Sequence, residues 1–296
     1  MTVVTVTAVA APRHVQVKGF DGRVVALTGA GSGIGRALAV DLAGSGARLA
    51  LADRDAVGLE ETRQRCQLIG ADVRGDVVDV SDAAAVTAWA EAVSTQFGVV
   101  NIVVNNAGIA FTGSVAESSL ADMHRVMDVD YWGVVHGTRA FLPYVVASGD
   151  GHVVNVSSLY GLLASPGQSA YNAAKFAVRG FTEALRQEMI ADRLPVQVTC
   201  VHPGGIQTGI LRHSTAAAGV DRSRLVEIFD TRLARTSAES AARTILRAVE
   251  RGRPRVLVGT DAKLLYLVVR MTGARYERAA ALMSRQVIAR VTRARE

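Results

Sequence analysis

Cysteine, proline and aromatic residues are all scarce in this chain of 296 residues, and so are long apolar runs. Two cysteines, Cys66 and Cys200, supply neither a disulfide framework nor metal-ligand spacing, which excludes a cysteine-stapled secreted scaffold. No cluster of His, Cys, Asp and Glu has the spacing of a metal site, so no metal is expected. Six prolines against 28 glycines leave glycine-bearing loops to punctuate the elements. No apolar run approaches the ~20 residues that cross a bilayer. The opening stretch, Met1 to Ala11, has no basic segment ahead of its apolar part. It reads as a strand-like or disordered extension rather than a signal peptide, and residues 1–20 are set apart on that ground. Together these absences lead to the expectation of a reduced, cytoplasmic protein.

What is present is enough apolar content, 49%, to build a substantial core. The net charge of +6 is unevenly placed. From Arg251 to Glu296 there are 11 basic and 3 acidic residues, while the rest of the chain is close to neutral. A near-neutral body argues against a nucleic-acid partner.

Short β-rich runs alternate with longer helical stretches. Strands are expected at Arg23–Thr28, Ala47–Ala52, Ala71–Val77, Val99–Asn105, His152–Ser157, Val196–His202 and Arg255–Val258. Helical stretches include Ile34–Ala43 and the regions near 119–148 and 171–190. Strands apolar on both faces and separated by helices imply an α/β fold, a doubly wound parallel sheet covered on both sides in one domain over residues 21–260. Residues 209–236 fit the alternation poorly and read as a substrate lid or as an ordinary surface excursion. Residues 261–296 are expected to form a basic helical tail.

Thr28-Gly29-Ala30-Gly31-Ser32-Gly33-Ile34-Gly35 lies between a strand and a helix. Glycines in such a turn let the backbone approach a pyrophosphate, and the helix that follows offers unpaired N–H groups and its positive dipole end. Gly29, Ser32, Gly33, Ile34 and Gly35 are therefore the first cofactor-binding candidates. Asp53 closes the second strand, 20 residues after Gly33. A carboxylate there accepts from an adenosine ribose and repels a 2′-phosphate, so NAD is expected rather than NADP. Arg54 beside it works in the opposite sense by offering a phosphate partner. The competing reading of Asp53 is a helix N-cap.

Tyr171 and Lys175 stand at i and i+4, on one face of a helix. A phenol that ordinarily titrates near ~10 is almost wholly protonated at neutral pH. A cation about 5 Å away in an effective dielectric of ~20 favours phenolate by roughly 3 kcal/mol. Tyr171 is then an acid or base for an alcohol–ketone conversion, with Lys175 tuning it. Ser157 and Ser158 end a strand and compete for the role of holding the substrate oxygen, since side chains alternate along a strand.

The order of these motifs resembles the short-chain dehydrogenase/reductase family, in its shorter, non-epimerase subgroup. The resemblance runs from about Gly22 to Gly259. It implies a Rossmann-like fold and selects Ser158, 13 residues before Tyr171, as the substrate-binding serine. It also implies that Lys175 and Tyr171 contact the nicotinamide ribose. Asp79 and Val80, in Asp79-Val80-Ser81-Asp82, would lie at the adenine. Asn106, Ala107 and Gly108 would line the cofactor trough, and Pro203, Gly204, Ile206 and Thr208 would hold the carboxamide. One position departs from the pattern. Asp130 stands where the family usually has an asparagine whose main-chain carbonyl supports a proton relay through a water beside the lysine. Asp130 is expected either to face that relay and favour protonated Lys175, or to point outward or bend its helix.

His202 has no partner that can be named and reads as structural, while His124 and His136 read as helix-surface residues. Ala110, Phe111, Leu159, Tyr160, Leu162, Leu163 and the 209–236 segment are the expected pocket lining. The list is mainly apolar and has no anion clamp, which suggests a lipophilic secondary alcohol or ketone. Relatives pair helices equivalent to 119–148 and 171–190, so a homodimer or homotetramer is expected. The basic tail is read as a partner-subunit contact, a peripheral membrane contact or a solvated helix. The functional expectation is an NAD-dependent dehydrogenase or reductase acting on CH–OH. The alternatives are an NADP-dependent carbonyl reductase and a non-catalytic dinucleotide sensor or scaffold.

Overall fold

A computed structural model describes residues 19–211, 214–217 and 220–291. The opening extension, up to residue 18, lies outside the described residues, as do 212–213 and 218–219 within the expected lid. Seven strands form one parallel sheet: β1 Val24–Thr28, β2 Arg48–Asp53, β3 Val73–Val77, β4 Ile102–Asn105, β5 Gly151–Val156, β6 Val196–Pro203 and β7 Arg255–Val258. Their order is β7-β6-β5-β4-β1-β2-β3, and every pairing is parallel. The described helices are α1 Gly33–Gly44, α2 Ala56–Leu68, α3 Ala83–Phe97, α4 Leu120–Met127, α5 Gly133–Ala147, α6 Ser169–Ala191, α7 Arg222–Ile228, α8 Ala238–Glu250, α9 Thr260–Thr272 and α10 Tyr276–Val291.

Alternation along the strands divides the core into two layers. Val25 and Leu27 of β1 pack toward Leu38 and Leu42 of α1 and Ile245 of α8. Val24 and Ala26 face the other way, toward Trp89 of α3, Phe141 of α5 and Leu185 of α6. Both strand faces are buried, which is why these segments read as continuous apolar runs. The strand order reverses between β1 and β4, so their carboxyl ends diverge and open a crevice.

Strand boundaries shift from expectation by up to three residues, and two differences bear on the site. Val99 and Val100 do not join β4, because they follow the left-handed Gly98 that ends α3 at φ 74°. The 119–148 stretch is two helices joined by a π-helical turn over Asp128–Trp132. Such a turn shifts the helix phase and re-aims side chains. Here it carries Asp130 to full burial.

A polar ladder inside the sheet has no counterpart in the sequence reading. The Asn105 side-chain amide donates to Asn155 Oδ1 at 2.8 Å and to Thr138 Oγ1 at 3.0 Å. Asn155 in turn donates to Thr182 Oγ1 at 3.1 Å. Buried amides with these partners tie β4 and β5 to α5 and α6, and so set where α6 presents its side chains.

Candidate active site

One cleft of about 1410 Å³ opens at the crevice above β1 and β4. Its cofactor-side wall begins with the turn after β1. Gly29 has φ 68°, and a Cβ there would lie 2.8 Å from Ala107 Cα, so both the left-handed backbone and the close approach require glycine. A Cβ on Gly35 would fall inside the Gly29 carbonyl oxygen and 2.7 Å from Asn106 Nδ2. Gly35 thus supports the turn from beneath and does not line the cleft, contrary to its assignment as a cofactor contact. Gly35→Ala is expected to cost about 1–3 kcal/mol of stability through overpacking, read in denaturant unfolding. An unchanged midpoint would contradict it.

The turn is further held by Thr28 and Asn106. Thr28 Oγ1 accepts from the N–H groups of Asn106 and Ala107 at 3.0 and 3.1 Å, and the Asn106 amide donates to the Thr28 and Gly29 carbonyls. Arg36 braces the turn from its other side, donating to the Gly31 carbonyl, to the Gly58 carbonyl at 3.1 Å and to Thr62. Ser32 sits at the N-cap of α1 without a side-chain cap bond, so the first N–H groups of that helix remain open to an anion. Asp53 Oδ2 accepts from Gly31 N at 2.8 Å and Oδ1 from Asp55 N at 2.9 Å. Asp55, not Asp53, caps α2, accepting from Val57 N. A glycine cradle that tolerates no side chain, an uncapped helix start and a carboxylate at the end of β2 fit a dinucleotide. At the end of the cleft expected to take the adenine, Asp79 accepts from Ser81 N and Oγ. Burial opposes its ionisation, but the Ser81 bonds and nearby Arg54 outweigh it and hold the carboxyl below its usual range.

The opposite wall carries the expected catalytic residues. Ser158 lies two residues past β5 and caps a short 3-10 turn, its Oγ accepting from Tyr160 N at 3.1 Å. Ser157 Oγ donates to the Lys175 carbonyl at 2.8 Å, which commits its hydroxyl proton to the backbone, whereas the Ser158 hydroxyl is hydrogen-bonded to Tyr171. His202 Nδ1 lies 2.9 Å from the Ser158 carbonyl. Burial pushes His202 down to about 4, so the ring is neutral and donates from Nδ1. It braces the serine turn, a partner that only the fold reveals. His136, half-buried, likewise bonds the Val80 carbonyl at 2.9 Å and is not a free surface residue.

Tyr171 and Lys175 project from the first turns of α6, with Lys175 Nζ 5.5 Å from the Tyr171 ring centroid. Tyr160 packs edge-on against Tyr171, with ring centroids 6.1 Å apart. Behind the lysine, Asp130 Oδ2 stands 3.1 Å from Nζ, and Oδ1 accepts from Ile109 N at 2.7 Å. Asp130 is fully buried and does not line the cleft. The outward-facing alternative therefore falls, and it is the side chain that engages the lysine.

This pair alters the electrostatics expected of Tyr171. Burial raises the phenol, Lys175 pulls it down, Asp130 pushes it up again, and the hydrogen bond with Ser158 lowers it; the net direction is upward. The expected depression by Lys175 is thus overturned in the protein alone, because burial of the phenol outweighs the cation and the Asp130 carboxylate adds to the upward push. Burial also works against the Lys175 ammonium, yet Asp130 and Tyr171 outweigh it and raise the lysine above its ordinary value. Burial lifts the Asp130 carboxyl, against the pull of Lys175 and of the Ile109 N–H.

Apart from Gly35 and Asp130, all the residues predicted for the site line this one cleft. Among the pocket candidates, Ala110, Leu159, Tyr160 and Leu163 line it, whereas Phe111 and Leu162 are packed into the interior. Sequence reasoning missed Gln168 and Glu117, which, with Arg235 of the expected 209–236 segment, add polar groups to a wall expected to be apolar. It also missed Leu264, Leu265, Ala280 and Ser284, which bring α9 and α10 to the cleft. Asp261 fixes that placement: its Oδ2 accepts from Gly205 N at 2.7 Å, tying the start of α9 to the Pro203–Thr208 loop. Both cysteines are buried, and burial pushes Cys66 to about 11 and Cys200 to about 12, so neither offers a thiolate at neutral pH. Among the described residues no group of His, Cys, Asp and Glu could hold a metal.

Residues 23–219 match the short chain dehydrogenase family. The chain belongs to that family. SadH of Mycobacterium tuberculosis, named as an oxidoreductase, is 57% identical over 259 residues, covering 88% of this chain and 94% of its own. Estradiol 17-beta-dehydrogenase 11 of Macaca fascicularis is 36% identical over 203 residues, 68% of each chain. A short-chain dehydrogenase/reductase from Burkholderia phymatum, solved in complex with NAD, superposes with a TM-score of 0.80 at 31% identity, covering 86% of this chain and 94% of its own. The protein is therefore an oxidoreductase of the short-chain dehydrogenase family, with that family's seven-stranded parallel sheet.

Proposed function

We propose that this short-chain dehydrogenase interconverts a lipophilic secondary alcohol and its ketone with NAD. The observation that carries the reading is the convergence of Ser158, Tyr171 and Lys175 on the same cleft as the glycine turn. The dinucleotide supplies the hydride acceptor or donor. Gly29, Ser32 and Gly33 would bring backbone N–H groups to its pyrophosphate, while the Gly31 N–H is held by Asp53. Asp53 places negative charge where a 2′-phosphate would sit, which supports NAD over NADP, while exposed Arg54 is the residue that would favour NADP. Lys175 and Tyr171 would hold the nicotinamide ribose, and Pro203, Gly204, Ile206 and Thr208 its carboxamide.

In the oxidative direction the Ser158 hydroxyl holds the substrate oxygen against Tyr171. Tyr171 accepts the hydroxyl proton as the carbon–hydrogen bond gives up its hydride. Lys175 stabilises the phenolate form of Tyr171, and Asp130 holds that ammonium in place. In the reductive direction Tyr171 returns the proton to the forming alkoxide. Segment 209–236 contributes Leu211, Leu225, Ile228 and Phe229 to the substrate side of the cleft, which supports its role as a lid over an apolar substrate. Exposed Trp132, leading into α5, and exposed Phe176 on α6 support assembly through these helices into a homodimer or homotetramer.

A panel of secondary alcohols, assayed in parallel with NAD⁺ and NADP⁺ for the appearance of reduced nicotinamide, tests the reading. Turnover with NAD⁺ that rises with substrate lipophilicity is expected. Dinucleotide binding without turnover across the panel would instead favour a sensor.

A further inference from the structure

Helix α9 has two apolar faces with different fates. Ala262 and Val269 turn inward, against Leu159, Leu163, Leu257 and Tyr276. Leu264, Leu267, Val268 and Met271 stand on the outer side, spaced i, i+3, i+4 and i+7, and are 63%, 54%, 41% and 79% exposed. Leu282 on α10 adds a further side chain at 64% exposure. Four large apolar residues in a single exposed helical stripe are more than the scattered apolar groups ordinary on a water-facing surface.

Basic groups border the stripe. Lys263 and Arg270 flank Leu267 at one helical turn, and both are exposed, as are Arg275 and Arg278 beyond. The Arg270 guanidinium lies 5.8 Å from the Tyr266 ring centroid. Of the nearby carboxylates, Asp261 is turned inward to Gly205 N, which leaves Glu277 as an exposed acid in the first turn of α10. The segment from Arg251 to Glu296 has 11 basic and 3 acidic residues, against a near-neutral remainder. A second copy of the chain seated on this stripe would bring like charges together, whereas an anionic bilayer would neutralise them.

The stripe is also continuous with the cleft. Leu264 belongs to both, and Leu265, Ala280 and Ser284 of the same helices line the cleft wall.

We propose that α9 and the start of α10 form a docking surface for an anionic lipid bilayer, with the apolar stripe at the acyl boundary and the basic side chains on the headgroups. The cleft mouth then meets the membrane. On the dehydrogenase reading above, on which this step alone rests, the substrate is a membrane-dissolved alcohol or ketone that enters past Leu264.

Flotation of the full chain with vesicles tests the surface, using phosphatidylcholine alone and phosphatidylcholine mixed with phosphatidylglycerol. The protein is expected to float with the mixed vesicles and not with the neutral ones. The double substitution Leu267→Glu, Met271→Glu is expected to reduce the bound fraction by about tenfold or more, and Lys263→Glu, Arg270→Glu to do the same. None of these four residues lines the cleft, so NAD titration of each variant should match the parent, which separates a lost membrane contact from a misassigned enzyme. Full chain that stays unbound to mixed vesicles would overturn the proposal. So would a Leu267, Met271 variant that floats like the parent, or a parent dimer that these substitutions convert to monomer without any vesicle binding.

Discussion

Tyr171→Phe is expected to lower kcat for alcohol oxidation by about 10²–10⁴-fold, the range for removing a positioned acid–base group. The substitution deletes one hydroxyl and keeps the ring that packs edge-on against Tyr160. Folding should therefore be nearly unaffected, and NAD affinity should fall only by the loss of one ribose contact, because the rest of the cofactor wall, the glycine turn, Asp53, Lys175 and the Pro203–Thr208 loop, stays in place. Ser158 and Lys175 remain in place, so a residual rate from substrate positioning should persist. Single-turnover rates, a cofactor titration and a melting curve on the same preparation check all three parts. A variant that turns over like the parent would remove Tyr171 from the chemistry.

Asp130 is expected to produce the largest stability effect in the site. Asp130→Leu leaves the Lys175 ammonium buried with the Val156 carbonyl, 3.4 Å away, as its remaining hydrogen-bond acceptor. Breaking a buried pair by removing one partner typically costs about 3–5 kcal/mol, more than the pair itself contributes. Asp130→Asn is a milder change, since an amide oxygen can still accept from Ile109 N. It separates charge from packing. Asp130 raises the Tyr171 phenol, so removing its charge lets the phenol ionise at lower pH, and the rising limb of the oxidation profile should move toward acid. Loss of Asp130 also lowers the Lys175 ammonium, because the carboxylate is the strongest of the influences raising it. Denaturant unfolding of the leucine variant and the pH–rate profile of the asparagine variant provide the readings. Equal stability in the first and a superimposable profile in the second would contradict this account.

Asp130 also marks where sequence and structure part. Its departure from the family pattern was visible, but its direction was not. A helix drawn at constant pitch through 119–148 offers no way to know which side residue 130 faces. The π-helical turn over Asp128–Trp132 changes that phase and turns the carboxylate to Lys175. His202 shows the same limit. Its place at a strand end could be read, but not the Ser158 carbonyl, 44 residues away in the chain. Phe111 and Leu162 neighbour true lining residues in the chain, yet both are packed into the interior.

Local rules determined what the sequence could determine by itself. Two-faced apolar runs specify a buried parallel sheet, and a glycine turn between strand and helix specifies an anion cradle. An i, i+4 spacing places Tyr171 and Lys175 on one helix face. Each depends on residues within a few positions of one another, where backbone periodicity fixes direction. Only the tertiary structure decided the rest: that burial, with Asp130 beside the lysine, lifts Tyr171 instead of leaving it depressed, that Gly35 supports the cradle from below, and that Leu264, Leu265, Ala280 and Ser284 of α9 and α10 wall the cleft. Burial and charge pairing depend on groups far apart in the chain, and their balance exists only once the fold has brought them together.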